Sequence, residues 1–287
     1  MNDEQQEIKR MYMQTLEEDC YIDATEDVDY PECALSIGTH TYQTKNGSKT
    51  YPIPLGTYGN FTFVQAPPKS KKTFFVSLLS AAYLKGEVNG RTGEIKGNRN
   101  GKCLVHFDTE QGKFHASKVF RRVLDMTGME NECYHTFGLR QLSYKTRIDF
   151  IEYYLYDKMN GKENKNIGLV IIDGIADLCS DVNNIEESNF VVQKLMQWTS
   201  ELNCHIVTVI HSNFGSTKPT GHLGSFLEKK TETQIELELN TVNKDLVTVK
   251  CKRSRNFSFE TFSFKVDDIG LPMVADAGYD VLKGVNF

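Results

Sequence analysis

Four short apolar runs, separated by segments of helical periodicity, restrict this chain to one kind of sheet. The runs are Phe61–Val64, Cys103–Phe107, Ile167–Ile172 and His205–Ile210. The intervening segments with helical spacing are 72–84, 114–127, 145–159 and 185–202. Apolar strands that alternate with helices indicate βαβ units. We therefore predict a mostly parallel sheet with helices on both faces.

Beyond residue 231 the pattern changes from helical spacing to strict alternation. Three segments alternate in this way: 234–240, 246–252 and 260–266. Alternation with a period of two predicts strands, and their short spacing predicts an antiparallel meander. The fold class expected from the whole pattern is α/β, with antiparallel strands at the C-terminal end.

The first part of the chain has a different sequence pattern. Residues 2–19 have the spacing of an amphipathic helix, and an acidic stretch follows from Asp23 to Asp29. We expect an N-terminal helical arm and linker over 1–32 and one α/β domain over 33–287. The helix of the arm would pack either on its own domain or on a neighbouring subunit.

Composition limits the class of protein. The 287 residues are 39% hydrophobic and carry a formal net charge of −5. No apolar run approaches the roughly 18 residues of a membrane span. The start, Met1–Gln6, is polar and acidic, unlike a secretory signal. The seven cysteines contain no Cys-x-x-Cys pair, which favours reduced thiols, so we expect a cytoplasmic protein without a membrane partner.

The first apolar run leads into a segment with the length of a phosphate-binding loop. Such a loop has the form GxxxxGK[ST] between a strand and a helix. This chain has Ala66 and Lys71 at the two glycine positions, followed by Lys72 and Thr73. Backbone N–H groups and the positive end of a helix can bind phosphate without glycine. The segment is thus a basic turn or a nucleotide site, which would use Pro68, Lys69, Ser70, Lys71, Lys72, Thr73 and Phe74.

Polar side chains follow the next three strands, at the edge where parallel sheets bind ligands. Glu110 follows the second strand, where a carboxylate can activate water. Asp173 ends the third strand, where Mg²⁺ is the natural partner of a buried carboxylate. His211 ends the fourth strand and could sense a γ-phosphate. Each residue alone also fits a structural role, but their joint order favours a site for ATP and Mg²⁺.

This order of residues resembles the RecA-like ATPase superfamily, most closely the replicative-helicase branch typified by RepA and DnaB. The similarity covers roughly residues 50–267 and extends to AAA-type RepA-like ATPases of bacterial mobile elements and phages. Gly221–Glu228 resembles the loop that precedes the next strand in these helicases, and Lys252–Asn256 resembles their basic finger motif. The glycine-poor phosphate loop is the main departure from the pattern.

The resemblance implies a role for each residue of the site. Lys72 would hold the β- and γ-phosphates, and Thr73 and Asp173 would bind Mg²⁺. Glu110 would be the catalytic glutamate, and His211 would stand at the position of the phosphate sensor.

Arg253 and Arg255 match the finger positions, and in relatives this finger reaches the γ-phosphate of a neighbouring subunit. Strand alternation would place both guanidiniums on one face, with Ser254 on the other. The alternative is a solvated basic end of a strand.

The resemblance also implies an ATPase that acts on DNA in replication or mobilisation. Its partners would be ATP or ADP, single-stranded DNA and further copies of itself, in a hexameric ring or a filament. Residues 214–230, with Lys218, Lys229 and Lys230, would be a DNA-facing loop or an ordinary connector. Two alternatives remain open: a filament-forming recombination ATPase, and a nucleotide-gated scaffold or signalling ATPase that hydrolyses ATP weakly.

Overall fold

The computed structural model describes residues 3–26, 30–44, 47–130, 133–158, 167–213, 216–240 and 243–275. The chain divides into two compact units, Met1–Pro31 and Glu32–Phe287. The first unit contains the helix α1, Asp3–Cys20, with Ile8 and Met11 exposed. Across the described residues, the helices are too short or too polar to cross a bilayer.

The second unit contains the remaining helices and the strands. The helices are α2 (Lys72–Lys85), α3 (Lys113–Thr127), α4 (Tyr144–Glu152), α5 (Ile185–Leu202) and α6 (Gly221–Lys230). Two shorter helical turns are the π-helical Tyr153–Lys158 and the 3-10 helix Ile175–Leu178. The strands are β1 (Cys33–Thr44), β2 (Gly47–Thr57), β3 (Phe61–Ala66), β4 (Ile95–Gly97), β5 (Cys103–Asp108), β6 (Tyr134–Gly138), β7 (Ile167–Asp173), β8 (His205–His211), β9 (Thr233–Leu239), β10 (Leu246–Ser254), β11 (Phe262–Val266) and β12 (Pro272–Val274).

One large sheet organises this unit. Within the described residues its strand order is β12-β11-β10-β9-β3-β8-β7-β5-β6. The pairs from β9 to β6 are parallel, and β10, β11 and β12 add antiparallel strands at one side. A second, antiparallel sheet has the order β2-β1-β4. The α/β fold expected from the sequence is confirmed: a RecA-like core with C-terminal antiparallel strands and an N-terminal helix.

Helices cover both faces of the large sheet. Buried side chains of α2, α3 and the β1–β2 hairpin form one core, and those of α4, α5 and α6 form the other. Strand alternation divides β3 between the two cores, with Phe63 in one and Val64 in the other. Because both faces are covered, the central parallel strands β3, β5, β7 and β8 are largely apolar along their length, which is why they are visible in the sequence.

The prediction of a loop over 214–230 is wrong for most of that range. Residues 221–230 form α6, while Phe214 and Gly215 lie outside the described residues. The glycine at 224 serves close packing, because a Cβ there would lie 2.7 Å from the carbonyl carbon of Pro219. This glycine therefore permits contact between the helix and its preceding loop.

Candidate functional site

The carboxyl ends of four parallel strands meet at one edge of the sheet. In the strand register, Ala66 of β3 pairs with His211 of β8, and Asp108 of β5 pairs with Asp173 of β7. The loops that leave these ends enclose a cleft of about 330 Å³. Its lining residues are Lys69, Ser70, Lys71, Lys72, Thr73, Phe74, Glu110, Gln111, Asp173 and His211. The structure therefore brings the sequence-predicted loop, acid, aspartate and histidine together.

The phosphate loop between β3 and α2 turns sharply without glycine. Lys69 and Lys71 have φ values of 64° and 60°, in the left-handed region that glycine adopts most easily. Ser70 between them is buried and donates from Oγ to the carbonyl of Pro67 at 2.6 Å, while Pro68 is exposed. Lys69 and Lys71 thus adopt the left-handed conformation that glycine would otherwise supply. This conformation raises the free energy of the folded loop by about 1–2 kcal/mol for each of the two residues.

The side chain of Lys71 ties the phosphate loop to another element. Its Nζ donates to the carbonyl of Asp245, just before β10, at 3.0 Å. Lys71 immediately precedes α2, whose first residue is Lys72. The amino-terminal N–H groups of that helix are available to an anion, because the first turn of any helix leaves them without intrahelical acceptors.

Lys72 is held at the floor of the cleft by three acceptors. Its Nζ lies 3.0 Å from the carbonyl oxygen of Pro67, 3.5 Å from that of Ala66 and 3.0 Å from Nδ1 of His211. Burial lowers the pKa of Lys72, and the negative charges of Glu110 and Asp173 partly oppose this effect. The ammonium group is thus placed between the phosphate loop and the acids of the site.

His211 links Lys72 to Glu110. When the ammonium of Lys72 donates to Nδ1, the ring proton belongs on Nε2, which lies 3.5 Å from Oε1 of Glu110. Hydrogen bonding to His211 holds the pKa of Glu110 below its ordinary value, with a further contribution from the charge of Lys72. Glu110 is therefore ionised at neutral pH, the form in which a carboxylate can accept a proton from water.

Two buried carboxylates lie next to each other behind Glu110. Within the described residues, neither Asp108 Oδ2 nor Asp173 Oδ2 has a hydrogen-bond partner. Burial, reinforced by the charges of Asp108 and Glu110, raises the pKa of Asp173 to about 8. An unpaired buried carboxylate oxygen beside another carboxylate is a suitable ligand for a hard divalent cation such as Mg²⁺.

Thr73 is the other candidate ligand of such a cation. It is the second residue of α2 and lines the same cleft as Asp173. In the part of the chain that the structure describes, no three His, Cys, Asp or Glu side chains are grouped to hold a metal by themselves. Phosphate-loop nucleotide sites bind Mg²⁺ through a hydroxyl, a carboxylate, water and the phosphates of the nucleotide. Thr73 and Asp173 therefore fit the ion when nucleotide is bound.

Sequence reasoning missed the residues that position Glu110. Asp108 Oδ1 accepts the backbone N–H groups of Glu110 at 3.1 Å and Gln111 at 2.8 Å. Thr109 donates from Oγ1 to the carbonyls of Asp173 and Gly174 at 3.0 and 2.8 Å. A Cβ on Gly174 would lie 2.7 Å from Cγ of Glu110, so glycine is required for this approach. The glycine directly after the Asp173 strand was the available signal.

Phe74, in the first turn of α2, lines the cleft. The guanidinium of Arg122, from α3, lies 3.8 Å from the centre of its ring. Arg122 also donates from Nη1 to Ser77 Oγ at 3.2 Å and to the carbonyl of Thr73 at 3.4 Å. The cation–π contact thus fixes the first turn of α2 against α3. Arg122 was not singled out in the sequence, where it is one of several basic residues of an amphipathic helix.

Arg253 and Arg255 lie at the opposite end of the sheet from the cleft. The backbone N–H of Arg255 donates to the carbonyl of Glu232, and Glu232 in turn donates to Phe61 at the start of β3. The cleft lies at the other end of β3, five residues and about 17 Å from Phe61, while Arg253 pairs with Gln234 at the level of Phe63. The structure therefore does not bring the two arginines to the nucleotide cleft of their own chain.

The strand that carries these arginines is irregular. The pairing of β10 with β9 shifts between Cys251 and Arg253, so that Lys252 is an extra residue in the ladder. Simple alternation, which was used to place Arg253 and Arg255 on one face, does not hold across such a bulge. Arg255 lies just beyond the end of β10 at Ser254.

Comparison with known proteins gives one family. The model of the AAA domain family matches residues 53–216, more than half of the chain. The matched segment contains the phosphate loop, Glu110, Asp173 and His211, and it ends before α6. A search of curated proteins gave no match. With a RecA-like core and a cleft built around a strand–loop–helix phosphate site, the chain belongs to the AAA domain family and is a P-loop ATPase.

Proposed function

We propose that this ATPase forms an oligomer that uses ATP hydrolysis to work on DNA, in the manner of RepA-type replicative or mobilisation helicases. The observation that carries the oligomeric part is the separation of the basic finger from the cleft. Neither Arg253 nor Arg255 is among the residues that line the cleft of their own chain, and Arg255 bonds Glu232 beside the start of β3. In this proposal, the arginine that joins Lys72 in neutralising charge on the γ-phosphate therefore comes from another subunit.

Within each cleft the residues divide the work. Lys72 and the N-terminus of α2 bind the β- and γ-phosphates, after Lys72 exchanges its bonds to Pro67 and His211 for the nucleotide. Thr73 and Asp173 hold Mg²⁺, which when bound neutralises phosphate charge. Glu110 accepts the proton of the attacking water, and Asp108 holds the backbone of Glu110 in place. His211 contacts Glu110 and Lys72 together, so it can sense whether the γ-phosphate is present.

The proposal of a DNA partner rests on the helicase resemblance and on the loop after β8. Lys218 is exposed on this loop, between the His211 end of β8 and the start of α6. The backbone N–H of Asn213 donates to the carbonyl of Lys218 at 2.8 Å, and Ser212 forms a bridge with Pro219. A movement of His211 would therefore be passed to Lys218 through only a few hydrogen bonds. Such a connection suits an ATPase in which the state of the bound nucleotide alters a contact with the phosphate backbone of DNA.

Phosphate release with and without single-stranded DNA tests the proposal. We expect DNA to accelerate Mg²⁺-dependent hydrolysis by the full chain. Glu110→Gln should bind ATP normally and hydrolyse it at least about 100-fold more slowly, as expected when a general base is lost. Lys72→Ala should lose tight ATP binding, which separates a binding defect from a catalytic one. Hydrolysis that DNA leaves unchanged would contradict the DNA-coupled function.

A second candidate is a nucleotide-gated scaffold that hydrolyses ATP slowly. The left-handed lysines of the phosphate loop favour it, because Lys69 and Lys71 make this turn less easily than glycine. An assembly that changes size with ATP but shows no DNA-stimulated turnover would support the scaffold. Assembly that requires DNA before any turnover would support a filament-forming recombination ATPase.

A further inference from the structure

The loops that leave the carboxyl ends of β5, β6 and β7 meet on one arginine of α4. This arginine, Arg147, lies in the first turn of the helix, and its side chain is only 12% exposed. It is not one of the residues that line the nucleotide cleft. Its contacts nevertheless lead directly to the acids of the cleft.

All three guanidinium nitrogens of Arg147 donate to main-chain carbonyls. Nε donates to the carbonyl of Leu139 at 3.2 Å, and Nη1 donates to that of Asp177 at 2.7 Å. Nη2 donates to the carbonyls of Arg140 at 3.0 Å and Thr109 at 3.5 Å. One side chain therefore joins four carbonyl groups from three separate loops.

A guanidinium suits this position because of its shape. Thr109 and Leu139 are buried, and buried carbonyl groups need hydrogen-bond donors. A guanidinium carries five N–H groups in one rigid plane, so it can reach several carbonyls at once. A lysine ammonium is a compact charge on a flexible stem and cannot reproduce this arrangement. Replacement of Arg147 by lysine would therefore keep the charge but separate the loops.

The first link to the cleft is the peptide group between Thr109 and Glu110. Its carbonyl oxygen accepts the longest of the four bonds from Arg147. Its N–H, which belongs to Glu110, donates to Oδ1 of Asp108 at 3.1 Å. The peptide that leads into the proposed general base is thus held at both ends, and Arg147 holds one of them.

The second link passes through Asp177, in the 3-10 helix after β7. Besides the main-chain bond, Nη1 of Arg147 lies 3.9 Å from Oδ1 of Asp177. The other carboxylate oxygen, Oδ2, lies 2.9 Å from Oγ1 of Thr109. Burial raises the pKa of Asp177, while the bond from Thr109 and the charge of Arg147 oppose this effect. Arg147 therefore holds the carboxylate that contacts the side chain of Thr109.

These two loops also carry the two acids of the site. Glu110 directly follows Thr109, and Asp173 ends β7 just before the helix of Asp177. The backbone N–H of Thr109 donates to the carbonyl of Asp173 at 3.1 Å, so the loops are in contact. Because both loops are bonded to Arg147, the guanidinium sets their separation. A misplacement of about 1 Å can lower a catalysed rate by about 100-fold.

We propose that Arg147 is a positioning residue, which holds Glu110 in place relative to Asp173 through the main chain of their two loops. This role rests on the proposed function, in which Glu110 activates the attacking water. Since Arg147 is not part of the lining of the cleft, its loss should reduce turnover and leave ATP binding nearly intact.

Steady-state hydrolysis and calorimetric ATP affinity test this role. Arg147→Lys should lower kcat by about 10–100-fold, while the dissociation constant of ATP stays nearly unchanged. Arg147→Ala should lower kcat at least as much, and if it does not fold, the lysine variant decides. The matched control is Arg91→Lys, at a partly buried arginine that pairs with Asp267 at 2.7 Å and lies outside the cleft lining. It should hydrolyse ATP normally.

A double-mutant cycle with Glu110→Gln separates positioning of Glu110 from a general loss of structure. In Glu110→Gln the carboxylate that Arg147 positions is already absent, so addition of Arg147→Lys should lower kcat no further. Two effects that multiply would mean that the residues act independently, and the positioning role would be wrong. A normal kcat for Arg147→Lys alone would overturn it as well.

Failure of this role differs from failure of the proposed function. If Glu110→Gln hydrolyses ATP at the wild-type rate, the assignment of the general base is wrong, and the role of Arg147 falls with it. If Glu110→Gln is slow while Arg147→Lys is normal, the general base stands and only the positioning by Arg147 is wrong.

Discussion

Lys71 occupies a backbone position where a side chain is a disadvantage. Its φ of 60° lies in the left-handed region, at the residue where a P-loop normally has glycine. The hydrogen bond from its Nζ to Asp245 offsets part of this penalty, since it ties the loop to the turn before β10. Strain at such positions is maintained only when the surroundings determine the conformation.

A pair of substitutions at Lys71 measures this strain. Both Lys71→Ala and Lys71→Gly remove the bond to Asp245, but only glycine removes the strain. We expect Lys71→Gly to be more stable than Lys71→Ala by about 0.5–1 kcal/mol in urea unfolding. At Lys85, in α2, the same pair should show the reverse order, because alanine favours a helix. Equal stability of the two variants at position 71 would refute the strain.

Asp173 makes the stability of the metal-free protein depend on pH. Its pKa is raised to about 8, while in the unfolded chain it has the ordinary value near 4. Between these values the folded protein retains a proton that the unfolded chain has lost, so stability falls as pH rises. Asp173→Asn should reduce this fall between pH 5 and pH 8, by about 1–3 kcal/mol, in thermal unfolding with EDTA.

The exposed Asp125→Asn provides the matched control for that experiment and should keep the wild-type pH profile. Asp173→Asn should also lose the Mg²⁺-dependent part of ATP binding, measured by calorimetry with and without the ion. An equal loss in both conditions would contradict the role of Asp173 as a metal ligand.

At the scale of elements, the helix α6 separates Lys218 from Lys229 and Lys230. Lys218 lies in the loop at the cleft end of the sheet, whereas Lys229 and Lys230 lie in the last turn of α6. The ten residues of α6 place these groups about 15 Å apart. The three lysines therefore do not form one basic surface, as a continuous loop would have allowed.

The salt dependence of DNA binding tests which group meets phosphate. Lys218→Ala should lower the slope of log affinity against log salt for single-stranded DNA by about 0.7, the value for one lost phosphate contact. Lys229→Ala removes the same charge at the far end of α6 and should leave the slope unchanged. A slope that changes only on substitution of Lys229 would place the DNA at the end of the sheet remote from the cleft.

The elements that could be predicted are those whose burial dictates their sequence. The strands β3, β5, β7 and β8 and the helices α2, α3 and α5 have clear sequence patterns because the sheet is covered on both faces, whereas the partly buried edge strand β6 was not predicted. The β1–β2 hairpin was not predicted, since β2 contains Pro52 and Pro54 and such residues usually argue against a strand. As β2 is the edge of its sheet, one side of it needs no partners and the prolines are tolerated.

The residues of the site also divide into those that the sequence pattern predicts and those that it does not. Lys72, Glu110, Asp173 and His211 could be found because each follows a strand with a clear pattern, and the structure brings them into one cleft. Gly174 and Arg122 act through contacts with residues distant in the sequence, and Asp108 acts through bonds to the backbone of the two residues after Thr109; periodicity reports neither kind of contact. The bulge at Lys252 was also missed, because one extra residue leaves little trace in an alternating pattern.

At the scale of the whole molecule, a finger that serves another subunit makes turnover depend on protein concentration. We expect the rate per subunit to rise with concentration, over the range where sedimentation shows assembly. ATP affinity should change much less, because Lys72, Thr73 and the N-terminus of α2, which bind the phosphates in this proposal, lie together in one chain. A constant rate per subunit, down to concentrations where the protein is monomeric, would contradict a shared site.

The direction of β10 has a mechanical consequence. The strand begins next to Asp245, which Lys71 of the phosphate loop contacts, and ends beside Arg253 and Arg255. Its nine residues span about 30 Å, and hydrogen bonds to β9 along most of the strand and to β11 along Leu246–Val249 resist its stretching. A displacement of the phosphate loop along this axis is therefore transmitted to the other end of the subunit with little loss. In an assembly, such strands would connect successive sites in series, so that the occupancy of one site sets the mechanical load on the next.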